Sequence, residues 1–236
     1  MNEYSVNQIY EAVQKLTLKD VGLGYLDPDQ FNSLAQLTNV ELFNKYVAIY
    51  QNTQLITDKM LAFIVKEVLP IDETGKMSYP TNYVNKIAVR AFDQASYDAE
   101  VARAKALNEA PNYNLIKQIK VKTIDNDKLG DRMDAGYLAP TKANPINTFY
   151  DTYNQFYPID LGVCLFEYLK QPATPIWGYI TLPNGLPEYN PATSTDFSWN
   201  WNMQNEIIIT ICRYFGVSVS DQQLTQNANG LNNQQA

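Results

Sequence analysis

The sequence predicts an α+β protein: an N-terminal helical bundle, a small antiparallel β-meander, a proline-rich extended arm and a C-terminal helix. Three observations lead there. Helix-start signatures with apolar residues at helical spacing fill the first seventy positions. Short aromatic and β-branched runs separated by hairpin-length turns follow Pro140, and prolines then recur at 172, 175, 183, 187 and 191.

The elements follow in order. Ser5-Val-Asn-Gln8 forms a capping box, and Val6, Ile9, Tyr10, Val13 and Leu16 give a helix over 5–17 one apolar face. Asp27 as N-cap, with Pro28 at the first helical position where a missing N–H costs nothing, starts the next. A second capping signature, Thr38-Asn-Val-Glu41, leaves 28–51 as one long helix or two joined near Asn39. A further helix is expected over 54–69, stopped by Pro70. Residues 71–92 read as extended, with Val84, Ile87 and Val89 as strand material, and the Ala-, Glu- and Lys-rich 94–109 as a peripheral helix. Leu115–Ile124 alternates like one half-buried strand, followed by a short helix over 126–133.

Strands are then expected over Ile146–Tyr150, Gln155–Tyr157 and Leu161–Leu169, joined in succession as a meander. The prolines after Gln171 fix φ and leave the arm little entropy to lose on docking, which suits a segment laid along another surface or an ordinary loop of one fold. A helix over 202–215 ends at Gly216, Ser220 and Gln223 cap another short helix, and NANGLNNQQA reads as a disordered tail. The expected organisation is a bundle over 1–70, a mixed part with meander and arm over 71–182, an extended segment and C-terminal helices over 183–226 packing on the rest, and the tail 227–236.

Composition excludes several functions. There is no histidine, which removes Ser-His-Asp and Cys-His nucleophile systems and every His-bearing metal site, and two cysteines cannot complete a four-Cys zinc site. Gly75-Lys76-Met77 lacks the Ser or Thr of a phosphate loop, and Gly22-Leu-Gly24 lacks the third glycine of a dinucleotide turn. The acidic run Asp125–Asp134 begins like a calcium loop, but Leu129 stands at a ligand position and Gly136 where the bidentate Glu belongs. No pair of carboxylates is singled out for sugar hydrolysis. Neither catalytic nor metal residues nor a cofactor are therefore expected.

The net charge of -7 and the absence of a Lys/Arg cluster argue against binding nucleic acid through phosphates. No basic n-region with an apolar core opens the chain and no apolar run approaches about 18 residues, so a cytosol-made protein with no membrane partner is expected. Cys164 and Cys212 sit in apolar runs, as buried thiols do. Polarity is carried by 24 Asn and 16 Gln, whose amides donate and accept without the desolvation cost of a charge and so suit broad contacts, or simply a solvated surface. Among the aromatic residues, Trp177, Trp199 and Trp201 fit a core, a protein interface or a saccharide-stacking surface.

Three runs carry a family resemblance: YSVNQIYEAV with GYLDPDQFNSLAQLTNVELFNKY; RMDAGYLAPTKANPI with FYPIDLGVCLFEYLKQPATPIWGY; and EYNPATSTDFSWNWNMQNEIIITICRYFGVSVSDQQLTQNA. Together they cover nearly half the chain, and in this order the sequence resembles virion structural proteins of crAss-like and related podovirus-type bacteriophages of Bacteroidetes, in particular the head-to-tail ring proteins that join portal to tail. The resemblance implies a non-enzymatic subunit of a homo-oligomeric ring, often twelvefold. Its implied partners are itself, the portal and neighbouring connector or tail proteins, with double-stranded DNA only as passing cargo. It implies residence in the virion neck, after assembly in the host cytoplasm. An acidic, Lys-poor surface suits a channel along which DNA slides without sticking. On this reading the protein contacts fall on Pro172, Pro175, Trp177, Tyr179, Trp199 and Trp201. The alternatives are a carbohydrate-binding module of a surface or tail protein, and a carboxylate-dependent hydrolase.

Overall fold

The computed structural model describes residues 5–18, 26–53 and 58–216. Helix α1 (Val6–Thr17) begins at the expected capping box: Ser5 Oγ accepts from the Gln8 N–H, and Gln8 Oε1 accepts from the Ser5 N–H. Helix α2 (Pro28–Thr53) starts where Asp27 accepts from the amides of Asp29 and Gln30. It is one continuous helix: Thr38 and Asn39 are buried within it, and the Asn39 amide is committed elsewhere, so no second cap forms.

Of the helix expected over 54–69, residues 54–57 lie outside the described ones, and the remainder is not an α-helix. Residues Asp58–Phe63 form a 3-10 helix and Ile64–Pro70 form strand β1. Ile64, Val65, Val68 and Leu69 suit either period, and pairing with a strand about a hundred residues later decides for the extended form. Then come β2 (Lys76–Ser78), β3 (Tyr83–Phe92), α3 (Gln94–Leu107), β4 (Gln118–Lys120), β5 (Lys122–Thr123) and α4 (Leu129–Asp134). Next are β6 (Ile146–Phe149), β7 (Tyr153–Tyr157), β8 (Val163–Lys170), β9 (Tyr179–Thr181), β10 (Pro187–Tyr189) and α5 (Gln204–Phe215). Gly216, at φ 91°, ends α5 in the left-handed conformation that a Cβ would disfavour. The expected cap at Ser220 and Gln223 and the tail 227–236 lie outside the described residues.

The chain divides into two compact units with boundaries unlike those expected. One comprises the segment up to Phe63 together with everything from Pro172 onward, and the other Ile64–Gln171. The division at 70 moves to 63 because β1 is a strand of the second unit, and the arm falls with the helices rather than with the strands before it.

In the first unit α5 packs on α1 and α2. Val6, Ile9 and Val13 of α1, Phe31, Leu42 and Phe43 of α2 and Ile207 and Ile211 of α5 are almost wholly buried there. Asp196 accepts from the Val6 N–H at 2.6 Å, placing a carboxylate at the positive end of α1.

The second unit contains two four-stranded sheets. One has the order β1-β8-β3-β4, antiparallel throughout; the other has β2-β7-β6-β5, with β5 and β6 parallel. The expected three-strand meander is therefore corrected: β6 and β7 form a hairpin, but β8 leaves it to pair between β1 and β3. The expected strand Leu115–Ile124 likewise divides. Its first part joins β3 in one sheet, its second joins β6 in the other, and buried Val121 marks the crossing. Met77 and Phe156 from one sheet meet Val89, Ala91, Cys164, Phe166 and Tyr168 from the other in a shared core.

Candidate functional site

In the first unit, the six residues expected to contact partners all lie on or near the arm, and the arm is docked onto its own helices. Its backbone alternates. Pro175 and Trp177 point inward, and Ile176 and Ile180 point outward. Pro172 and Tyr179 are half-buried, with the Tyr179 hydroxyl donating to Asp29 Oδ1 at 3.2 Å. Trp177 retains 4% exposure, stacked on Tyr10 with ring centres 4.2 Å apart, and Trp199 retains 6%, edge-on to Phe63 at 4.6 Å. Trp201 alone among the tryptophans faces solvent, at 67%. Trp177 and Trp199 are thus core residues, which corrects their placement at an interface and removes a saccharide surface built of stacked tryptophans.

Three asparagines, which sequence reasoning did not single out, hold this arrangement. Asn32 pairs with the Trp177 main chain in both directions, accepting from its N–H at 2.7 Å and donating to its carbonyl at 3.2 Å. The Trp177 indole N–H donates to Asn7 Oδ1 at 2.8 Å. Asn39 accepts from the Trp199 indole at 2.7 Å and donates to the Ala173 carbonyl at 2.9 Å. Burying one tryptophan removes roughly 200 Å² from water, on the order of 4–5 kcal/mol before entropy, against about 1 kcal/mol net per hydrogen bond. Burial supplies most of the attraction, and the amides fix which residues go inward. Gly178 permits the close approach, since a Cβ there would lie 2.6 Å from the Thr193 carbonyl carbon.

Charge ties α2 to α5 in the same unit. Burial opposes ionisation of Glu206, but Lys45 at 2.6 Å, Lys59 at 3.0 Å and the Tyr46 hydroxyl at 2.8 Å outweigh it and hold the carboxyl down at about 2. Arg213 and Tyr214 both donate to Glu41.

The second unit contains a cleft of about 440 Å³ between its two sheets. Three rings line it nearly parallel: Tyr79 lies 4.5 Å from Tyr83 at 14° and 6.2 Å from Phe149 at 7°. The Lys86 ammonium stands 3.8 Å over the Phe149 ring and donates to Thr123 Oγ1 at 3.2 Å, and burial lowers its pKa. Asp125, Asn126 and Asp151 stand exposed at the rim, with Tyr150 donating to Asn126 Oδ1 at 2.8 Å.

Cys164 and Cys212 are both free and buried, and burial pushes each thiol up to about 12. The acidic run at 125–134 folds as a 3-10 turn and α4. Among the described residues no cluster of three or more Cys, Asp or Glu side chains is arranged to hold a metal, and no helix is long and apolar enough to cross a membrane. No family model matches the chain, and no curated protein is significantly similar to it.

Proposed function

We propose that the protein is a non-enzymatic virion component: a subunit of a homo-oligomeric ring that joins portal to tail in a podovirus-type bacteriophage and forms part of the DNA channel. One observation carries this reading. The described parts of the opening run (5–13 and 26–46) and of the closing run (188–216) and the PATPIWGY end of the central run are far apart in the chain, yet in the first unit they fold against one another. They meet through Asn7 and Asn32 on Trp177 and through Asn39 on Trp199. These parts of the three runs therefore pack together in the first unit, while residues 132–146 and 156–171 of the central run belong to the second.

The contact residues follow from which side of the arm is turned out. Ile176, Ile180, Leu186 and Trp201 expose 41%, 49%, 61% and 67% of their surface, and Ile176 does so between the buried Pro175 and Trp177. Large apolar groups presented beside a rigid docked segment suit a permanent contact with neighbouring subunits, because little conformational entropy remains to be lost. The net charge of -7 suits a channel that does not retain DNA.

Light scattering on the purified chain tests this. The wild type is expected to run as a multi-subunit assembly, alone or with the cognate portal, and Ile176→Asp with Trp201→Asp to reduce it to monomer at unchanged Tm. A double variant that assembles like the wild type would contradict the assignment of these residues.

A further inference from the structure

Closing a ring head to tail takes two different surfaces on every subunit, because the face a subunit gives is not the face it receives. The outward side of the arm supplies one of them. Its counterpart has to be exposed, apolar at its centre and free of charge.

Helix α2 carries such a face. Ser33, Leu37, Val40, Asn44 and Ala48 are all exposed and recur three or four residues apart, so they form a stripe down one side of the helix. Leu37 and Val40, at its centre, keep 47% and 45% of their surface open to water. Between Gln30 and Thr53 the only charged residues are Glu41 and Lys45, and α5 pairs with both, through Arg213 and Glu206. Leu37 and Asn44 each stand five residues beyond Asn32 and Asn39, the two that hold the arm, which sets the stripe about 140° round the helix from them. One chain thus offers the arm on one side of α2 and the stripe on another, as a head-to-tail contact requires.

Charge favours the same match. At a net charge of -7, two copies repel unless they meet where charge is absent. Gln171 to Pro187 contains no charged residue, and neither does the stripe. Each surface joins exposed aliphatic groups to Asn, Ser or Thr side chains, which can donate and accept without the desolvation cost of an ion.

We propose that the α2 stripe is the receiving surface for the arm of a second copy of this chain, with Leu37 and Val40 packing against the outward Ile176 and the exposed groups beside it. This pairing rests on the ring reading and adds to it the surface on which the arm lands.

Native mass spectrometry of full-length variants tests the pairing, under the conditions, alone or with the cognate portal, in which the wild type assembles. Leu37→Glu with Val40→Glu places good helix formers at exposed positions, so Tm should hold while assembly is lost. Mixed with the Ile176→Asp, Trp201→Asp variant, whose stripe is intact, this stripe variant should form a 1:1 complex and nothing larger, since each chain keeps one half of the contact. A stripe variant that assembles like the wild type would overturn the pairing and leave the ring reading standing. Two variants that stay apart on mixing would also overturn it, the stripe then meeting some surface other than the arm. A wild type that is monomeric alone and with the portal would remove the ring reading and the pairing together.

Discussion

Asn32 grips Trp177 by the main chain, its side-chain amide accepting from the Trp177 N–H at 2.7 Å and returning a bond to the Trp177 carbonyl at 3.2 Å. The pairing substitutes for a neighbouring strand: it satisfies both polar groups of a buried residue with a side chain 145 positions away. Asn32→Ala leaves both unpaired. It should lower stability by about 2–3 kcal/mol, read as a reduced midpoint in urea with little change in slope. An equal midpoint would mean that the arm is held by burial alone.

Gly178→Ala should act at the same place by a different route. Its Cβ would sit 2.6 Å from the Thr193 carbonyl carbon, so the arm must shift away from the segment beneath it. Tm should fall by several degrees, and proteolysis between Gln171 and Thr181 should accelerate. Retention of wild-type Tm would show that the Gly178–Thr193 approach is looser than described.

Trp199 and Trp201, two residues apart, should respond in opposite ways to substitution. Trp199→Ala removes a ring at 6% exposure and leaves Asn39 Oδ1 without its donor, and should cost about 3–5 kcal/mol. Trp201→Ala, at 67% exposure, should stay within about 0.5 kcal/mol in the isolated chain. Chemical denaturation of the two variants side by side separates a core residue from a surface one.

Acid should loosen the contact between α2 and α5. The Glu206 carboxyl is held at about 2 in the fold, against about 4.3 in an unfolded chain, so its contribution is fully present above the unfolded value and fades as pH falls from there toward 2. The loss should be on the order of 2 kcal/mol. Glu206→Gln should flatten that part of the stability–pH curve. A curve of unchanged shape in the variant would place the acid sensitivity elsewhere.

Local chemistry was legible in the sequence, and long-range pairing was not. Ser5 with Gln8, Asp27 with Pro28, and Gly216 mark helix ends with groups a few residues apart, and each performs the expected role. Ile64–Pro70 carries an apolar spacing that fits two periods, and the partner that decides, β8, begins at Val163. The same kind of separation hid the departure of β8 from the β6–β7 hairpin. The arm was recognised from its prolines, but which side it would bury depends on Asn7, Asn32 and Asn39, three amides among many with nothing local to distinguish them. Their significance emerges only once the helices bring them beneath Trp177 and Trp199.

Native mass spectrometry of the purified chain, alone and with the cognate portal, tests the ring reading most directly. The account predicts a single closed assembly whose mass is an integral multiple of the 26.9 kDa subunit, formed alone or on the portal. A chain that stays monomeric by itself and with every virion partner offered would contradict it.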